Sequence, residues 1–227
     1  MKTSIKMLLG FAGIVLLLVL ASDVVLWAYF KKGINGDGTA LQFPGKAELY
    51  KEKISDLRPF KTIVINSDNV WITNTMRGDS IGIKKDGDEV TANYYRQVGD
   101  TLYILPVQQR VTVYCNSVQY IRLAADSLHL NISRLHQPVL EIHALNDCYL
   151  DLGRAEVGNF TYKGGENNRI MGNQKSKFDT VDVQLGEYGS IDLQDGAIKN
   201  FILKADKMRE FSMDELVLLN LTQFKRK

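Results

Sequence analysis

"TVDVQLGEYGSIDLQ" (residues 180–194) sets Val181 and Val183 on either side of Asp182 and, ten residues on, Ile191 and Leu193 on either side of Asp192. Apolar residues two apart with a polar residue between them mark a short strand that buries one face. Outward from this stretch, apolar or small pairs recur at 111/113, 121/123, 130/132, 140/142, 150/152, 160/162, 170/172, 201/203 and 211/213. Only Gly172 breaks the apolar pattern. The step is ten residues, slipping once to nine and once to eleven.

A strand that buries two side chains cannot make a core alone, whereas stacked copies can, which is the logic of a solenoid. Turn formers separate the pairs: Asn146-Asp147, Gly153, Gly164-Gly165, Gly186, Gly189 and Asp195-Gly196. The pattern predicts a parallel beta-helix whose coils hydrogen-bond at about 4.8 Å. A coil of two strands takes about 20 residues and one of three about 30. Three per coil would line up Thr112, Glu141, Met171 and Ile202 and leave an apolar patch on one face; two separate Met171 from Ile202, and the reading leans to two. The run Leu216–Leu221 is expected to cap the stack, covering an edge that would otherwise template aggregation.

Upstream, Ile63 and Ile65, Val70 and Ile72, then Ile81 and Ile83 alternate with polar residues. Lys84-Lys85-Asp86-Gly87-Asp88 and Val98-Gly99-Asp100 read as tight turns, so residues 60–105 are expected to form an antiparallel set. The fold class is therefore all-β: a parallel beta-helix with antiparallel N-terminal strands, preceded by one N-terminal transmembrane helix.

That helix is read from Met7–Phe30, 24 mostly apolar residues behind Lys2 and Lys6. At about 1.5 Å of rise per residue they reach across a hydrocarbon core of roughly 30 Å. Trp27, Tyr29, Lys31 and Lys32 supply an aromatic and then charged border. Asp23 is the awkward residue, because a carboxylate inside a bilayer costs a few kcal/mol. The rival reading is a cleaved signal peptide ending near Ala21, with secretion of the rest; the apolar run Val24–Phe30 favours the uncleaved anchor. No cysteine directly follows the apolar segment, so no lipoprotein signal is expected. Either way the positive flank predicts export of the rest. The expected location is the inner membrane, single-pass, with the N-terminus cytoplasmic and the C-terminal domain periplasmic. The domain organisation is an anchor at 1–32, a tether at 33–59, a beta-helix at 60–221 and a basic tail at 222–227.

The chain has 227 residues, 45% of them hydrophobic, enough for one good-sized core, and a formal net charge of +2. Residues 1–60 hold 8 Lys/Arg against 5 Asp/Glu, leaving 20 against 21 in the remainder. The folded part is electrically balanced, which argues against nucleic acid as a partner.

Few residues point to chemistry. His129, His136 and His143 recur every seven residues, but the strand phrasing puts His129 and His143 on outward positions and His136 in the Arg134–Pro138 turn. Metal ligands must converge, so no metal site is expected. Asp179, Asp182, Asp192 and Asp195 resemble the acidic sets that beta-helix enzymes use on polysaccharides, yet ten residues carry the chain to another face. His-Glu-x-x-His, phosphate-loop and Cys-x-x-Cys motifs are absent. Neither catalytic residues nor a cofactor are expected. Cys115 and Cys148 lie on apolar strand phases and read as small buried hydrophobes, with a disulfide as the alternative in an oxidising compartment. Asn131, Asn159 and Asn220 open glycosylation-type triplets, and Trp71 and the ten tyrosines offer stacking platforms for sugars beside their structural role.

"FKTIVINSDNVWIT" (60–73), "DTLYI" (100–104) and recurring phrases such as "CYLDLG" and "TVDVQLG" resemble the head GIN domain family of auto-transporter adhesins from bacterial cell envelopes, over about residues 60–221. That resemblance implies an exported beta-helical domain and adhesion; it brings no catalytic residues. The expected function is a membrane-anchored, non-enzymatic binding or adhesion-type domain, attached through residues 7–30 and meeting a protein or glycan in the envelope. The alternatives are a polysaccharide lyase or hydrolase on the same scaffold and a structural or sensory envelope module.

Overall fold

The computed structural model describes residues 22–23, 55–74, 82–85, 94–173 and 175–226. Residues 1–52 and 53–227 form separate units. Most of the expected membrane helix and tether, and the Asp86-Gly87 turn, lie outside the described residues; Ser22 and Asp23 are helical and exposed.

The strands are β1 (Ser55–Asp56), β2 (Thr62–Ile65), β3 (Val70–Thr73), β4 (Gly82–Lys85), β5 (Tyr95–Val98), β6 (Thr101–Ile104), β7 (Val111–Tyr114), β8 (Tyr120–Leu123) and β9 (His129–Ser133). They continue as β10 (His136–His143), β11 (Tyr149–Gly153), β12 (Glu156–Gly164), β13 (Arg169–Asn173), β14 (Lys177–Leu193) and β15 (Ala197–Met213), then a short helix α1 (Glu215–Asn220) and β16 (Gln223–Arg226). Together they wind into a parallel beta-helix with two walls. One wall stacks β6, β2, β8, β10, β12, the first half of β14, the first half of β15, and β16. The other stacks β7, β3, β9, β11, β13 and the second halves of β14 and β15.

Two walls per coil mean a register step of about twenty, as Leu130 opposite Leu150 and Leu150 opposite Ile170 demonstrate. The paired apolar residues form continuous columns through the interior. Ile63, Ile121, Ile142, Tyr162, Val183 and Leu203 stack along one wall, and Val70, Leu130, Leu150, Ile170 and Ile191 along the other, all buried. Gly172 interrupts a column because Leu193 fills its space: a Cβ there would stand 2.8 Å from Leu193 Cδ2.

The N-terminal part corrects the expected antiparallel set. β2, β3 and β6 belong to the parallel stack, and among the described residues only β1, β4 and β5 are added to it antiparallel, at its outer end. The β2–β3 coil is first in sequence yet lies between the β6–β7 coil and the β8–β9 coil. Period-two alternation is common to parallel and antiparallel half-buried strands, so it carries no information on pairing direction. The Val98-Gly99-Asp100 turn does close a hairpin, β5 on β6, with Gly99 at φ +60°. Among the described residues, β4 joins β7 and β5 joins β6.

Corners recur once per wall per coil as residues with positive φ. One series is Ser127, Asp147, Asn167 and Tyr188; the other is Arg134, Arg154, Lys175 and Asp195. Asn and Asp tolerate this conformation, whereas for other L-residues it costs about 1 kcal/mol or more. Two buried polar side chains near the corners are satisfied by the backbone. Asn168, fully buried, accepts from the Cys148 N–H (2.7 Å) and donates to the Leu145 and Gly165 carbonyls (2.7 and 3.1 Å). Gln137 likewise accepts from the Val118 N–H and donates to its carbonyl (2.9 and 2.7 Å).

At the C-terminal end, α1 sets Val217 into the core and Leu221 packs half-buried against it, while Leu216, Leu218 and Leu219 stay exposed, so the expected cap is made by two side chains of the run. Residues 223–226, expected within a basic tail, instead add β16 to the wall beside β15.

Candidate functional site

On the second wall the outward side chains of β7, β3, β9 and β11 fall into register and floor an open groove of about 650 Å3. Its middle column runs Thr112, Trp71, Asn131, Asp151, Met171 and Asp192, one residue per coil. Trp71 Nε1 donates to Asn69 Oδ1 (3.1 Å), which fixes the indole, and the Arg110 guanidinium lies over its ring at 4.9 Å. One coil along, His129 meets Tyr149 edge-on at 4.5 Å, and Arg169 lies over the Tyr149 ring at 5.8 Å. Arginine over an aromatic face gains a cation–π attraction and keeps a planar guanidinium at the groove surface.

Asp151 ties the floor together. Its two carboxylate oxygens accept from Asn131 Nδ2 (3.2 Å) and Asn173 Nδ2 (3.0 Å). Burial raises the Asp151 carboxyl above the usual carboxylate range, opposed in part by His129 and by the Asn173 amide. Arg134 and Arg154, at the positive-φ corners, line the groove edge. The result is an aromatic and amide surface bordered by guanidinium groups, with one carboxylate each of whose oxygens accepts one amide hydrogen bond.

The first wall carries a second open groove with Tyr120, Arg122, His143, Lys163, Gln184 and Lys204. Beside it Glu141 pairs with both Lys163 Nζ (2.7 Å) and His143 Nε2 (2.7 Å). The bond from Lys163, and then that from His143, holds the Glu141 carboxyl below its ordinary range.

The structure separates the three histidines. His129 lies on the second wall and His143 on the first. His136, expected in a turn, opens β10 after the corner at Arg134 and pairs with Glu156. The four aspartates are also apart: Asp182 sits on the first wall, Asp192 on the second, Asp179 meets Lys199 at 2.5 Å, and Asp195 occupies a corner. Cys115 and Cys148 are buried free thiols, directly after β7 and before β11. Trp71 is the anticipated platform that the structure places in a site. Tyr149 was anticipated only as one of ten tyrosines, and Asp151, Asn173 and the arginines escaped sequence reasoning; aligning outward residues at a step of twenty brings the first three beside Trp71.

No family model matches the chain, and neither does any curated protein sequence. Solved structures with a similar course include a putative adhesin from Bacteroides fragilis (TM-score 0.36, 10% identity, covering 76% of this chain and 94% of that one). A putative adhesin from Parabacteroides merdae follows at TM-score 0.39 and 12% identity, covering 77% and 94%. A putative lipid binding protein from Parabacteroides distasonis gives 0.36 and 10%, covering 77% and 96%. Values this low lend no argument about what this chain binds, and the likeness to the head GIN family is carried by the residue pattern alone.

Proposed function

We propose that this chain is a non-catalytic binding domain of the cell envelope, held at the inner membrane by residues 7–30 and exported, which holds an extended glycan along its second wall. The observation that carries the reading is the convergence of Trp71 and Tyr149 with the Asn131–Asp151–Asn173 chain in one open groove. Aromatic faces take the apolar faces of sugars, and fixed amides and carboxylates exchange hydrogen bonds with their hydroxyls. A shallow groove with few apolar side chains suits a hydroxyl-rich ligand better than a protein partner, whose interface centres on buried apolar anchors.

Binding is favoured over bond cleavage by the carboxylates themselves. Asp151 and Asp192 share a column but Met171 stands between them, and Gln194 Nε2 lies within 3.2 Å of both Asp192 oxygens. Neither faces the other as a general acid and base must. A glycan array probed with the full-length chain is expected to show retention, weakened about two- to tenfold in Trp71→Ala, the range that stacking on an aromatic contributes. Release of reducing ends during the incubation would overturn the non-catalytic reading. The anchor is tested by protease treatment of intact spheroplasts: residues 60–226 are degraded there if they face the periplasm and protected if they are cytoplasmic.

A further inference from the structure

The class of glycan follows from the corners of the solenoid, and this inference rests on the glycan-binding reading above. Both corner series adopt positive φ, but they differ in chemistry. One holds Ser127, Asp147, Asn167 and Tyr188; the other holds Arg134, Arg154 and Lys175 in three successive coils before Asp195. A short side chain such as Asn or Asp eases this backbone by bonding locally, whereas Arg and Lys do not. Three consecutive basic residues therefore keep a conformation that Asn would adopt more readily, and what they supply in return is charge. Backbone strain of this kind points to function.

The three are exposed, and among the described residues none of them forms an ion pair. Successive corners stand one coil apart, about 4.8 Å along the axis. Arg134 and Arg154 border the groove that contains Trp71 and Tyr149, and Arg110 over Trp71 adds a third guanidinium to its lining. The opposing charge in that lining is Asp151, whose oxygens the two asparagine amides already hold.

We propose that the groove takes an acidic glycan, its sugars bearing carboxylate or sulfate groups, laid along the solenoid axis. The anionic groups lie over Arg134, Arg154 and Lys175 and the sugar faces lie toward Trp71 and Tyr149. Guanidinium forks suit both kinds of anion, since each offers two oxygens to a planar pair of N–H donors.

The test uses the full-length chain in detergent with two matched pairs of polymers: polygalacturonate against its carboxyl-reduced form, and dextran sulfate against dextran. Retention of an acidic polymer over its neutral partner supports the proposal, and the pair that responds tells carboxylate from sulfate. Affinity is expected to fall more than roughly tenfold between about 50 and 200 mM salt, as counterion release by three cations requires. The variant Arg134→Asn/Arg154→Asn/Lys175→Asn places asparagine where the backbone favours it, so it folds at least as well, and it is expected to lose the acidic polymer at least about tenfold. Equal retention of acidic and neutral polymers, or unchanged binding by the folded triple variant, overturns the acidic-glycan inference while leaving glycan binding in place. Retention of no polymer here and of no glycan on the array overturns both.

Discussion

Tyr162 and Cys115 show how a tightly packed column treats polar atoms. The Tyr162 hydroxyl is buried with no hydrogen-bond partner among the described residues, and burial pushes its ionisation upward. An unmade hydrogen bond costs more than an apolar group in the same place, so Tyr162→Phe is expected to stabilise the domain by about 1 kcal/mol. The urea midpoint measures this; a lower midpoint would mean that the hydroxyl has found a partner such as a buried water. Burial pushes the Cys115 thiol up to about 12. The unfolded thiol titrates near ~8.5, so the folded state holds the proton more tightly. This contribution is fully present below that value and is lost as pH rises toward the folded one. Urea midpoints followed from pH 8 to 11 are expected to decline more for the native chain than for Cys115→Val, and Ellman's reagent is expected to label Cys115 only after unfolding. Coincident pH profiles would show that the thiol is hydrated.

Among the elements, the short helix after β15 depends on one residue. Asp214 caps α1 by accepting from the Val217 N–H (2.9 Å), and its other oxygen accepts from the Asp195 N–H (2.6 Å) at the preceding coil's corner. These backbone bonds, the Asp195 one first, hold its carboxyl below the ordinary range. A depressed carboxyl stabilises the fold above its unfolded value near ~3.9, and that stabilisation disappears as pH falls through the folded value. Asp214→Ala is expected to cost about 1 kcal/mol at neutral pH, read by thermal melting, with the difference from the native chain shrinking below about pH 4. A difference that persists in acid would assign the loss to something other than the charged cap. The strands that bury a face were legible because spacing announces it, whereas β16, with every residue exposed, read as a basic tail. Which strands became neighbours was not, since β2 and β3 are inserted between coils that follow them in sequence.

For the whole molecule, the repeat makes a strong demand. Removing residues 135–154 joins Arg134 to Ala155, and thereby one positive-φ corner to the residue that follows the next, with every downstream side chain still facing its own wall. Removing residues 135–144 instead shifts the rest of the chain by half a coil. The twenty-residue deletion is expected to keep the far-UV β signal and unfold cooperatively at a lower midpoint, as loss of one stacking interface implies. The ten-residue deletion is expected to yield no folded domain. Comparable behaviour of the two would contradict a two-walled solenoid. The sequence by itself determined the winding and the inward-facing pairs, because burial of paired apolar residues is written locally and repeats. Only the tertiary structure decided the order of the first coils and the membership of the groove. Parallel pairing and lateral proximity join Trp71 to Tyr149 and Asp151 across tens of residues, and a ten-residue repeat by itself is compatible with two or three strands per coil, so only the pairing fixed which outward side chains share a wall.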